Sequence, residues 1–169
     1  MKKSYIIGLV LLGSNPIMQL NVFSKRLKEL MELEGCSKRA LANELGADRK
    51  SIRLWSGGAF YPKTEAMIKL SMHFKVSIDY LVGLESVLDN NFSSTGEIPI
   101  ETIQKRFLET LSIYMREKNL TKYALSKKLK MDQKALTKWF THGSMPEVAT
   151  LIKLANLTDI SINELLGMV

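Results

Sequence analysis

SKRALANELGADRKSIRLWSGGAFYP, residues 37–62, decides how the chain folds. Its apolar residues recur at helical spacing, with Leu41 and Leu45 in a first run and Ile52 and Trp55 in a second. Ser37 and Asp48 stand just before these runs, where a side-chain oxygen can accept a backbone N–H of the first helical turn. Gly46 lies between them and permits the positive φ of a tight turn. The stretch reads as two short helices joined by that turn, ending in a glycine-rich segment that leads to Pro62.

The flanks extend the same pattern. Upstream, Phe23, Leu27, Leu30 and Met31 share one helical face, which predicts a helix over about 22–34 with Asn21 as N-cap. Gly35 suits the left-handed residue that terminates it. Downstream, Pro62 precedes a fourth helix of about 63–74, and Ser77 caps a short fifth helix that ends near Gly83.

The whole pattern is written twice. Sliding the chain by 84 positions aligns residues 23–83 with 107–167 without a gap. DRKSIRLWSGGAFYP (48–62) falls on DQKALTKWFTHGSMP (132–146), pairing Asp48 with Asp132, Trp55 with Trp139 and Pro62 with Pro146. In the second copy Thr121 and Asp132 take the cap positions, and Asn119 replaces the glycine that ends the first helix. The expected fold is therefore all-α, two tandem five-helix domains. The boundaries read as an apolar N-terminal extension (1–17), a first domain (18–84), a linker (85–100) and a second, more divergent domain (101–169).

Composition narrows the partner. The chain of 169 residues has a formal charge of +7 and a hydrophobic fraction of 46%. That suits a globular protein with an anionic partner, nucleic acid foremost. Residues 18–84 and 101–169 each hold 11 Lys/Arg against 7 Asp/Glu, so both copies carry +4. The linker, by contrast, is acidic. Its length would let two independent domains reach half-sites about 34 Å apart on one duplex.

Several classes find no support. One cysteine, Cys36, excludes an internal disulfide framework, and no His/Cys spacing matches a metal site. No catalytic constellation, phosphate-binding glycine loop or cofactor motif is present, so neither an enzyme nor a cofactor is expected. The run from Tyr5 to Leu12 is too short to span a bilayer, for which roughly 20 residues are needed. MKKSYIIGLVLLGSNPI has the basic start and short apolar core of a weak signal peptide, yet no A-x-A cleavage site follows. An over-extended start, with Met18 as the natural one, or an arm packed on the fold fits better, and a cytoplasmic location is expected.

Within the helix after Asp48, Ile52 and Trp55 face inward, which turns Arg49, Lys50, Arg53 and Leu54 outward. The equivalent outward face of the second copy holds Gln133, Lys134, Thr137 and Lys138, with Leu136 and Trp139 inward. On an ordinary surface helix such charges would simply be solvated, and both tryptophans are read as core.

This phrase resembles the helix-turn-helix of the Cro/phage-repressor (XRE-like) family. Ala42 matches the small residue at the helix crossing, Gly46 the turn glycine and Ile52 the buried anchor. Trp55, Gly58 and Pro62 match the W-x-x-G-x-x-x-P ending, and VSIDYLVG and ISINELLG continue the resemblance into the fifth helices. It covers nearly all of residues 20–84 and, more loosely, 101–167. The resemblance implies that residues 48–56, and their counterparts at 132–140, form recognition helices that enter the major groove of double-stranded DNA. Arg and Lys would then meet guanine or phosphate, Gln133 adenine, and Leu54 a thymine methyl. Lys38, and Lys122 in the second copy, would stand at the family's phosphate-contact position.

The sequence also departs from the family. The usual ion pair between the first helix and the residue after the tryptophan is missing on both sides: Met31 and Ser56, then Met115 and Phe140. Joint loss strands no buried charge. In the second copy Lys130 replaces the turn glycine and His142 the second glycine. Lys130 would be held at positive φ at a cost on the order of 1 kcal/mol, and Gly143 could take over from His142.

The expected function is a sequence-specific, double-stranded-DNA-binding transcriptional regulator, repressor-like and of phage or mobile-element type. Unlike outward faces suggest an asymmetric target. The alternative is a protein-interaction module, such as an antirepressor or dimerisation partner, that keeps the fold without reading bases. A homodimer and an internal pseudodimer both fit, and the second copy either reads DNA or packs on the first. No membrane and no small-molecule ligand is implied.

Overall fold

A computed structural model describes residues 16–87 and 98–168 of the chain. These residues are helical and turn structure with no strand. The first copy comprises α1 (Pro16–Leu33), α2 (Lys38–Leu45), α3 (Arg49–Ser56), α4 (Thr64–Phe74) and α5 (Ile78–Val82). The second comprises α6 (Ile100–Glu117), α7 (Lys122–Leu129), α8 (Gln133–His142), α9 (Val148–Thr158) and α10 (Ile162–Leu165). The all-α architecture of two tandem five-helix domains is the one expected.

One expectation fails at the start. Asn21 is not an N-cap, because α1 already begins at Pro16 and Asn21 lies inside it. The physical reason is legible in Pro16: its fixed φ suits a first helical turn, where its missing N–H costs nothing. The added turn is not idle, since Gln19 is buried and Leu20 packs against the core. The expected extension over 1–17 thus overlaps α1 at Pro16 and Ile17, and residues 1–15 lie outside the described ones. Of the expected linker over 85–100, residues 88–97 lie outside them too, and Ile100 already opens α6.

The cap chemistry follows the sequence reading. Ser37 Oγ accepts from Ala40 N at 3.1 Å, and Thr121 Oγ1 does the same for Ala124 N at 3.1 Å. Gly46 closes α2 at φ 63° and Lys130 closes α7 at φ 52°. Their amides donate to equivalent carbonyls, Gly46 N to Asn43 O and Lys130 N to Lys127 O. The lysine therefore occupies the left-handed position without remodelling the turn. At the second glycine the copies differ. Gly58 has φ 73°, whereas in the second copy His142 stays helical and Gly143 takes the left-handed conformation at φ 62°.

Each copy is built on the same buried side chains. Phe23, Leu27, Leu41 and Ile52 are fully buried, as are their counterparts Phe107, Leu111, Leu125 and Leu136. Trp55 and Trp139 are core residues, the latter edge-on to Phe107 with ring centroids 5.8 Å apart. Met31 and Ser56 are buried, and Met115 and Phe140 lie partly buried against the core, so no charge is stranded where the family's ion pair is missing. Two glycines let the fifth helix end close to the first. A Cβ on Gly83 would lie 2.8 Å from Val22 Cγ1, and one on Gly167 would lie 2.7 Å from Arg106 Cβ.

The copies do not hang apart on a tether, as the linker reading allowed. They pack directly on each other, α5 against α10, and their buried apolar residues form one continuous cluster. Ile78 N donates to Asn163 Oδ1 at 2.8 Å, and Ile162 N donates to Asp79 Oδ1 at 2.8 Å. Adding or subtracting 84 turns one of these bonds into the other. Each short helix is thus capped by a side chain of its counterpart in the other copy, and the relation between them is a local pseudo-two-fold. Asn163 N adds a third bond, to Asp79 Oδ2 at 3.0 Å. Beyond this centre, Thr64 Oγ1 donates to the carbonyl of Pro146 in the other copy.

Candidate nucleic-acid interface

The first helix-turn-helix is α2, the turn at Gly46 and α3. Asp48 fixes the start of α3 with both carboxylate oxygens: Oδ1 accepts from Ser51 N at 2.8 Å and Oδ2 from Ser51 Oγ at 2.7 Å. These hydrogen bonds hold its carboxyl below the usual aspartate range. The cap thus stays ionised at the positive end of the helix, where negative charge is favoured. Ile52 and Trp55 turn into the core, and Arg49, Lys50 and Arg53 are exposed on the other side. Leu54 is half-buried rather than fully outward.

Three exposed cations therefore stand on the first two turns of α3, with the exposed Lys38 at the start of α2. Among the described residues none of the four makes an ion pair. Arg26 behaves differently: its guanidinium lies 4.1 Å from the Tyr80 ring centroid and donates to the Tyr80 carbonyl, tying α1 to α5. Positive charge that serves the fold and positive charge left open to a partner are thereby separated.

The second helix-turn-helix is α7, the turn at Lys130 and α8. Asp132 Oδ1 caps α8 by accepting from Lys134 N at 2.6 Å. Gln133, Lys134 and Lys138 are exposed, and Leu136 and Trp139 are buried. Thr137 is half-buried, with its hydroxyl donating to Gln133 O at 2.8 Å. Lys122 departs most from its counterpart Lys38. It is half-buried, with Nζ 4.4 Å from the centroid of the Phe140 ring. Phe140 thus gives the start of α7 an aromatic support that Ser56 cannot give α2.

Sequence reasoning placed every one of these residues on its helix. It missed Asp79 and Asn163, which are 3% and 2% exposed at the junction of the copies. Burial pushes the Asp79 carboxyl up to about 6, against the two amide hydrogen bonds it accepts. A signal was present. Ser77 and Ser161 already cap their own helices, leaving the polar residue two places on with no local task. Among the described residues there is no metal-binding cluster and no helix long and apolar enough to cross a membrane.

Comparison with known families agrees with this geometry. The family described as bacteriophage CI repressor helix-turn-helix domain matches residues 25–86, and a general helix-turn-helix family matches residues 111–165. No curated protein and no solved structure matches the chain significantly. The two matches fall on α1–α5 and α6–α10 in turn. The chain is therefore a tandem of two helix-turn-helix domains, a phage-CI-repressor-like one followed by an XRE-like one, of the kind that DNA-binding transcription regulators carry.

Proposed function

We propose that the protein is a sequence-specific, double-stranded-DNA-binding repressor that reads the major groove with α3 and, in its second domain, with α8. The observation that carries this reading is the framed face of α3. Arg49, Lys50 and Arg53 are exposed and, among the described residues, make no ion pair, while Ile52 and Trp55 anchor the same helix in the core. Arg49 and Lys50 lie at the helix N-terminus, the part a recognition helix presents to base edges. Lys38 and Lys122 serve phosphate, Leu54 a thymine methyl, and Gln133, Lys134, Thr137 and Lys138 the second reading face. The domains are taken over 18–84 and 101–169, with α1 and α6 reaching back to Pro16 and Ile100.

Selection from random duplexes tests it, using the full chain and the variants Arg49→Ala/Lys50→Ala and Gln133→Ala/Lys134→Ala. Each pair should weaken binding and change the selected sequence. If neither alters affinity or sequence, the recognition helices are wrongly assigned; if only the first does, α8 is not a reader.

A second reading is a protein-interaction module that keeps the fold without reading bases. It draws support from Phe60 and Tyr123, large apolar side chains that stand 49% and 57% exposed. It predicts sequence-indifferent DNA affinity with steep salt dependence, together with a stable complex with another protein.

A further inference from the structure

We infer that one chain, alone, binds a non-palindromic operator whose two half-sites run in inverted orientation at a single fixed spacing. This rests on the proposal that α3 and α8 read DNA, and it adds how the two readings are combined.

Orientation follows from the reciprocal caps. Two tandem domains related by translation would put the same surface of each copy to different uses. Here the same two positions face each other: the side chain at 79 reaches the amide at 162, and the side chain at 163 reaches the amide at 78. Only a two-fold relation makes both bonds at once. That relation carries the first reading helix onto the second by a half-turn, and a half-turn that sets both on one duplex coincides with a dyad of the DNA, which exchanges its strands. Half-sites for this chain are therefore inverted, not direct, repeats.

Spacing follows from burial. Asp79 and Asn163 are almost fully buried, and the apolar cluster runs through both domains without a break. Moving one domain relative to the other would expose that cluster and strand the amides of Ile78, Ile162 and Asn163. The joint is thus a fixed one, and the distance between the recognition helices is set by the fold and not by the linker.

Asymmetry follows from the outward faces. Arg49, Lys50 and Arg53 favour guanine, whose O6 and N7 accept from Arg or Lys, while Gln133 suits adenine and Thr137 brings a methyl and a hydroxyl. A symmetric dimer must read the same letters twice. This chain, with unlike faces on a two-fold frame, reads one set on each strand.

The test uses the full chain and the best duplex from the selection. Analytical ultracentrifugation gives the stoichiometry and hydroxyl-radical footprinting the protected strands. The expected result is a 1:1 complex protecting two unlike, inverted half-sites, with Arg49→Ala/Lys50→Ala weakening protection in one and Gln133→Ala/Lys134→Ala in the other. Inserting 5 or 10 base pairs between the half-sites should each lower affinity by about 100-fold or more, the gain a linked second site supplies. Tolerance of the 10-base-pair insertion, which restores the helical face at a longer distance, overturns the fixed joint. Direct repeats, or two chains on a palindrome, overturn the inference and leave the proposed function standing; a footprint confined to one half-site overturns the inference and also removes α8 from the proposed readers. Failure to select any sequence overturns the proposed function itself.

Discussion

Asp79 and Asn163 occupy equivalent positions in the two domains, yet they make unequal contributions to the joint between them. Asp79 accepts two amides, Ile162 N and Asn163 N, whereas Asn163 accepts one, Ile78 N. The fourth bond that strict symmetry demands would need an acceptor where Asn163 carries its amide nitrogen. That nitrogen is buried and finds no partner among the described residues.

This inequality orders two substitutions. Asp79→Ala leaves two buried N–H groups unsatisfied and should lower unfolding stability by about 2–4 kcal/mol, against about 1–3 kcal/mol for Asn163→Ala. The exchanged double variant Asp79→Asn/Asn163→Asp keeps one carboxylate and one amide across the joint. It should recover more stability than the single replacements predict by addition. Urea unfolding of the natural chain, the two alanine variants, the exchanged double variant and its two single replacements checks both statements.

The same carboxylate gives stability a pH dependence. Its folded value, about 6, lies above the ordinary aspartate value of 3.8, so the folded state binds the proton more tightly. The contribution is complete below about pH 4 and is lost as pH rises through 6, by on the order of 2–3 kcal/mol. Stability of the natural chain minus that of Asp79→Asn, measured from pH 4 to 8, should fall across that window and then level off. A flat difference would mean the carboxylate is not held as the structure places it.

Lys130 is a non-glycine residue at φ 52°, in the position that Gly46 fills in the first domain. Lys130→Gly should raise stability by about 0.5–1 kcal/mol by relieving the left-handed conformation. A thermal melt detects it. Since the turn geometry already matches, the DNA footprint should not move.

Tyr61 lies half-buried with its ring centroid 5.5 Å from that of Phe23, and its hydroxyl is buried with no hydrogen-bond partner among the described residues. Burial pushes the phenol up to about 12. Tyr61→Phe keeps the ring contact and removes the unsatisfied group, so the variant should be neutral or about 1 kcal/mol more stable. A destabilisation larger than that in urea would reveal a partner for the hydroxyl.

On the proposed function, Lys38 and Lys122 contact phosphate and leave base reading to α3 and α8. Lys38→Ala should weaken binding about equally across sequences and lower the salt slope of log affinity by about one unit. Lys122→Ala should do the same and, in addition, free the Phe140 ring that Lys122 covers. A change in selected sequence for either variant would move that lysine to the base edges.

Much of the fold was legible because its signals are local. Ser37, Asp48, Thr121 and Asp132 cap the helices they precede, and Lys130 and Gly143 take the left-handed positions that the alignment of the copies predicted. The outward residues of α3 and α8 follow from the inward ones by helical geometry alone. What escaped is non-local. Asn21 looked like a cap because polar residues before an apolar run usually are, and the turn added by Pro16 depends on packing of Leu20. The joint at Asp79 and Asn163 escaped because a repeat reveals that two segments are alike and says nothing of whether they touch. Lys122, identical to Lys38, differs from it through Phe140, a residue far along the chain.

The reciprocal caps also bear on how such a regulator would respond to its own abundance. A repressor assembled from separate subunits falls apart on dilution, so its occupancy of an operator rises with a higher power of concentration and behaves as a threshold. Here both halves are made together, and their pairing survives at any concentration. On the proposed function, occupancy below saturation would then follow the amount of protein to the first power, a graded dose response in which halving synthesis weakens control and does not switch it off.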